Sequence, residues 1–116
     1  MKMTDPIPPT LSPETAAAKF AALGSEQRLG VLQALVRAGP EGASMGDLGA
    51  RCGITGSTLT HHLKILAAAG LVKQTRQGRS IICAGADYAE VQALSQYLLQ
   101  NCCADATCTH KGHDND

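Results

Sequence analysis

Aromatic side chains are scarce in this chain: one Phe, two Tyr and no Trp, 3% of 116 residues. A core without them must be aliphatic, and a chain of this length forms one domain with a modest core, often completed by a second copy. Long apolar runs are missing as well. None would span a bilayer, and the first residues lack the basic start and apolar stretch of a signal peptide, so no membrane partner is expected. An even cysteine count is also absent. Five cysteines do not close into a disulfide framework, and they point to a reducing cytoplasm.

Net charge is zero, but it is unevenly spread. From Ser44 to Gly85 five basic residues (Arg51, Lys64, Lys73, Arg76, Arg79) face one acid, Asp47. From Ala86 onward only Lys111 opposes Asp87, Glu90, Asp105, Asp114 and Asp116. The middle of the chain therefore carries the positive field that an anionic partner would meet.

Residues 1–11, with Pro6, Pro8 and Pro9, read as a flexible arm. Ser12-Pro13-Glu14 is a helix start, and the helix is expected to reach Leu23 with Ala16, Phe20 and Leu23 on its apolar side. Gly24-Ser25 breaks and recaps, and Glu26 to Arg37 forms a core helix with the stripe Leu29, Leu32, Leu35 and Val36. Ser44 caps a third helix closed by Gly53. Thr55 then caps a fourth, in which Leu59, Leu63 and Leu66 make one face apolar and Gly70 ends the run. Opposite those leucines lie Ser57, Thr58, Thr60, His61 and Lys64, short donors of the kind that suit base edges and phosphates in a major groove. His62 leans toward the core and reads as structural. Two helices across a tight Gly turn make a helix-turn-helix. The β-prone runs Val72 to Arg76 and Arg79 to Cys83, joined at Gln77-Gly78, add a hairpin with a basic tip, on which Arg76 and Arg79 are expected to meet phosphates or the minor groove. The fold class expected is mainly α with a small β-hairpin: a winged helix-turn-helix of five helices and a two-stranded wing. Tyr88 to Asn101 is the fifth helix, and its stripe of Val91, Leu94, Tyr97 and Leu98 calls for a partner surface, hence a homodimer.

Ser25-Glu-Gln-Arg-Leu29, Thr60-His-His-Leu-Lys-Ile-Leu-Ala-Ala-Ala-Gly-Leu-Val72 and Arg76-Gln-Gly-Arg79 together resemble the ArsR/SmtB family of metal-responsive repressors, from about Phe20 to Gln100. The resemblance implies a dimer that pairs its last helix with the first helices, binds double-stranded operator DNA and is not an enzyme. It implies for Arg28 a structural or phosphate contact at a helix start. Two of the family's metal sites do not carry over. Its Cys-x-Cys positions in the third helix are Ser44 and Gly46 here, and the last helix has no histidine for its zinc site.

Residues 102–116 form a tail after that domain of residues 12–101. Cys102, Cys103 and Cys108 fall within seven residues, and the tail continues through His110 and His113. Neighbouring helical residues point about 100° apart, so Cys102 and Cys103 converge only if the helix ends there. Three soft thiolates suit As(III) or Sb(III), which take three sulfurs in a pyramid, and the tail resembles that of an arsenic-responsive subgroup of the family. The expected inducer is therefore arsenite or antimonite, with no catalytic cofactor. Zinc or cadmium, with His110 or His113 as a fourth ligand, is the alternative. A thiol redox pair, an incidental tail and an arsenic-handling reductase on the same thiols are the weaker readings. Cys52 and Cys83 read as packing residues.

Overall fold

The computed structural model describes residues 11–106. The N-terminal arm before them, and Cys108, His110 and His113, lie outside the described residues. Five helices are present: α1 (Pro13–Ala22), α2 (Glu26–Ala38), α3 (Met45–Cys52), α4 (Gly56–Ala68) and α5 (Tyr88–Leu99). Three begin with a serine whose hydroxyl accepts a hydrogen bond from the first turn. Ser12 takes the Thr15 N–H, Ser25 the Arg28 N–H and Ser44 the Asp47 N–H. Thr55 has the extended backbone of a cap at α4, but its side chain makes no capping bond; its hydroxyl is 3.3 Å from that of Thr58.

The sheet has three strands in the order β1-β3-β2, all antiparallel: β1 (Ala43–Ser44), β2 (Val72–Gln77) and β3 (Ser80–Gly85). The wing hairpin is β2-β3. Its pairing runs from Val72 opposite Gly85 to Gln77 opposite Ser80, so the two turn residues are Gly78 and Arg79, one place beyond the expected turn. Gly78 has φ +63°, a value that the first position of a type II′ turn requires and that an L side chain resists. The third strand is an addition to the expected pair. Two residues are too few to show a period of two, so β1 carries no pattern of its own.

Leu32, Leu35, Leu48, Leu59, Leu63, Leu66, Leu71 and Cys83 form the centre of the core. On α2 the buried face is Val31, Leu32 and Leu35, rather than the stripe through Leu29 and Val36, which are both exposed. On α1 it is Ala16, Lys19 and Ala22, with Phe20 and Leu23 only half-buried. Lys19 is 5% exposed, and its Nζ donates to the Ala69 carbonyl at the end of α4, at 2.6 Å. The cation thus satisfies an orphan carbonyl at the negative end of a helix. Its long apolar stem is buried on the way from α1 to that carbonyl.

Candidate nucleic-acid interface

The helix-turn-helix is made by α3 and α4. Gly53, left-handed at φ 67° and ψ 34°, ends α3, and the Ile54 N–H bonds back to the Gly49 carbonyl. A Cβ on Gly49 would stand 3.0 Å from the Ile54 carbonyl oxygen, so a glycine there lets the turn fold back closely on α3. At its other end α4 closes with a Schellman motif. Leu71 N–H bonds to the Leu66 carbonyl and Gly70 N–H to that of Ala67, with Gly70 at φ +78°.

Leu59, Leu63 and Leu66 hold the inner face of α4 in the core, and His62 completes it at 7% exposure. The His62 ring is clamped from α2. Arg28 Nη1 lies 3.4 Å from Nδ1, and Nε2 lies 2.9 Å from Gln27 Oε1. Arginine only donates, so Nδ1 is the bare acceptor and Nε2 carries the proton given to Gln27. Arg28 Nε also donates to the Ala22 carbonyl at 2.6 Å, tying the end of α1 to the same point. Burial, then the Arg28 charge, then His61 hold the imidazole below its usual range, so it sits neutral. Sequence reading placed His62 inward and Arg28 at a helix start, but it missed Gln27, Lys19 and the contacts among them. No local signal marks them, because the partners stand 34 or more residues apart.

With its inner face fixed, α4 leaves Ser57, Thr58, Thr60, His61 and Lys64 all exposed on the outer one. Arg76, in β2 opposite Ile81, and Arg79, in the wing turn, are exposed too. Among the described residues the one ion pair is Lys73 with Asp87, at 4.0 Å on an open surface. Lys64, Arg76 and Arg79 are therefore not neutralised by carboxylates of the described residues.

The thiols divide into two sets. Cys83 is buried, 3.6 Å from Met45 Sδ, and burial pushes its thiol up; half-buried Cys52 is pushed up by burial too, partly offset by Arg51. Both are poor nucleophiles and poor ligands in those settings. Cys102 and Cys103 are exposed, just past the end of α5, which stops at Leu99 rather than Asn101. Asn101 and Cys103 both take positive φ, 59° and 61°. With the helix broken there, the two sulfurs meet at 3.5 Å. Zn–S bonds of about 2.3 Å put two thiolates of one tetrahedral ion about 3.8 Å apart, so this separation fits a shared soft ion. The hydrogen bond with Cys102 is the main cause that raises the Cys103 thiol. The described residues hold no group of three His, Cys, Asp or Glu placed to bind a metal. The third thiol of the expected set, Cys108, is outside them.

Residues 23–75 match a helix-turn-helix domain family. The chain is 36% identical over 61 residues to the uncharacterized HTH-type transcriptional regulator YceK of Bacillus subtilis (strain 168); the match spans 53% of this chain and 60% of that relative. Among solved structures, an ArsR-like transcriptional regulator from Rhodococcus sp. RHA1 is 30% identical with a TM-score of 0.64, over 79% of this chain and 82% of that one. The ArsR family transcriptional regulator RHA00566 is 25% identical with a TM-score of 0.70, over 86% of this chain and 99% of that one. On this likeness the chain belongs to the ArsR-like family of winged helix-turn-helix transcriptional regulators.

Proposed function

We propose that the protein is a homodimeric repressor that binds operator DNA and releases it when As(III) or Sb(III) is held by Cys102, Cys103 and Cys108. The observation that carries the inducer is the 3.5 Å approach of the Cys102 and Cys103 sulfurs at the end of α5. Such an ion supplies a soft, three-coordinate centre that draws the thiolates together. The same helix end exposes Leu98 (68%) and Leu99 (62%), and Tyr88 (77%) stands exposed at its start. Large apolar side chains left open on a terminal helix favour a second copy as their cover. The dimer sets the spacing of the two α4 helices on successive turns of the duplex. Ordering the thiols at the end of α5 then biases the packing of that interface, and hence the spacing. A DNA-binding role also places the protein in the cytoplasm. Among the described residues no helix is long and apolar enough to cross a membrane.

The test is binding to DNA selected by the protein from a random pool, titrated separately with arsenite, antimonite, zinc and cadmium. Release by the first two supports the reading. Release by zinc or cadmium alone overturns it in favour of a four-ligand site that includes His110 or His113. Arsenate turnover with a thiol reductant would replace it with an enzyme.

Two outcomes bear on the DNA face. Ser57→Ala and His61→Ala should each lose roughly 1–3 kcal/mol of affinity for the selected sequence with the dimer intact, measured by fluorescence anisotropy and sedimentation. Unchanged affinity in both removes α4 as the reader. Arg79→Ala should weaken binding to every sequence alike and lower the slope of log affinity against log salt by about one. An unaltered slope would mean that the wing stays off the duplex.

A further inference from the structure

Thr60 lies on the exposed face of α4 with its hydroxyl already engaged: Oγ1 donates to the Gly56 carbonyl one turn back, at 2.9 Å. A threonine hydroxyl has one proton, so this bond removes Thr60 as a donor to the acceptor-rich edges of guanine and adenine. It also draws the oxygen back along the helix. The other substituent on Cβ is the γ-methyl. Because Cβ is branched, χ1 is stiff, and turning the hydroxyl outward would break the bond to Gly56. What Thr60 then offers a partner in the groove is a methyl group, beside an oxygen that can only accept.

We infer that Thr60 is an apolar specificity contact that selects thymine through its C5 methyl, rather than a hydrogen-bond donor to a base edge. Thymine alone among the four bases carries a methyl in the major groove, so two methyls in contact distinguish it with no hydrogen bond. Ser57, at the first turn of the same face, has no methyl and is left for polar readout. The inference rests on the DNA-binding reading above and adds to it the chemistry of one position.

The test uses the full chain and duplex DNA selected by it from a random pool, with each thymine of the selected site replaced in turn by deoxyuridine, which lacks only the methyl. One thymine in each half-site is expected to weaken wild-type binding about fourfold when replaced, the effect of leaving one methyl unburied. Thr60→Val, which keeps a γ-methyl and drops the hydroxyl, should retain both the affinity and the thymine preference. Thr60→Ser, which keeps the hydroxyl and drops the methyl, should bind thymine and uracil sites equally. Circular dichroism checks that both variants fold. The inference is overturned by any of three results. These are no thymine-to-uracil difference for the wild type, a Thr60→Val protein that loses the preference, or a Thr60→Ser protein that keeps it. A pool that yields no enriched sequence defeats the DNA-binding reading itself, and this contact with it.

Discussion

Replacing Cys102 or Cys103 by Ser should leave affinity for the selected DNA within about twofold of wild type and abolish its loss on adding arsenite. Effector coupling of about 1–3 kcal/mol, the usual range, corresponds to a 5–150-fold drop in wild-type affinity, so the difference is large and easily read. A hydroxyl of the same shape does not give a soft thiolate, so the variant loses the ligand with little change of side-chain shape. Because both sulfurs are exposed and lie past the end of α5, outside the residues of α4 and the wing, DNA binding without arsenite has no reason to change. Cys108→Ser should behave like them, whereas Cys52→Ser, which alters a half-buried packing residue, should remain inducible. A Cys108→Ser protein that still releases DNA at the wild-type arsenite concentration would reduce the site to the described pair. A pH series separates the two ligand classes. Zinc or cadmium must displace thiol protons, including the one that the Cys102 contact holds on Cys103, so affinity for them falls as pH drops. Arsenous acid carries hydroxides that leave as water with those protons, so its binding changes less.

Arg28→Ala should destabilise the fold by about 2–4 kcal/mol, since it leaves the Ala22 carbonyl and His62 Nδ1 without their partner inside a partly buried junction. At about 4–8 °C per kcal/mol for a domain near this size, thermal denaturation would register a fall of roughly eight degrees or more. A shift of only a degree or two would show that the clamp contributes little. The clamp also has a pH signature. The folded His62 holds its proton more weakly than the unfolded one, whose pKa is about 6.5. Between the lowered folded value and about 6.5 the unfolded chain binds more protons, so stability rises with pH across that window. Above it this contribution is complete, and it is lost as pH falls through the window. Protonation would set an imidazolium against the Arg28 guanidinium and would remove the acceptor at Nδ1. His62→Gln, neutral at every pH, should flatten that rise of stability with pH below about 6.5, measured by denaturation. A variant retaining the full wild-type slope would assign the acid sensitivity elsewhere.

The sequence by itself determined the five helices, the wing hairpin and their order, since the signals involved are local. Ser12, Ser25 and Ser44 cap the N–H groups three residues on, and Gly53 and Gly70 end their helices. The leucines at 59, 63 and 66 place one face of α4 inward, and by exclusion the other face outward. The tertiary structure decided what the side chains of those elements meet. Nothing near Lys19 in the sequence announces the Ala69 carbonyl 50 positions away, and nothing near His62 announces Gln27 and Arg28. A stripe on α2 read from spacing alone chose Leu29 and Val36, because periodicity gives an apolar arc but not the part of it that neighbouring elements cover. Strand β1 exists only because β3 offers Ala43 and Ser44 a partner, a pairing between residues about forty apart. The thiols mark the boundary between the two kinds of information. Their adjacency is written in the chain, but whether the sulfurs diverge or meet depends on where α5 stops, and it stops at Leu99, before them.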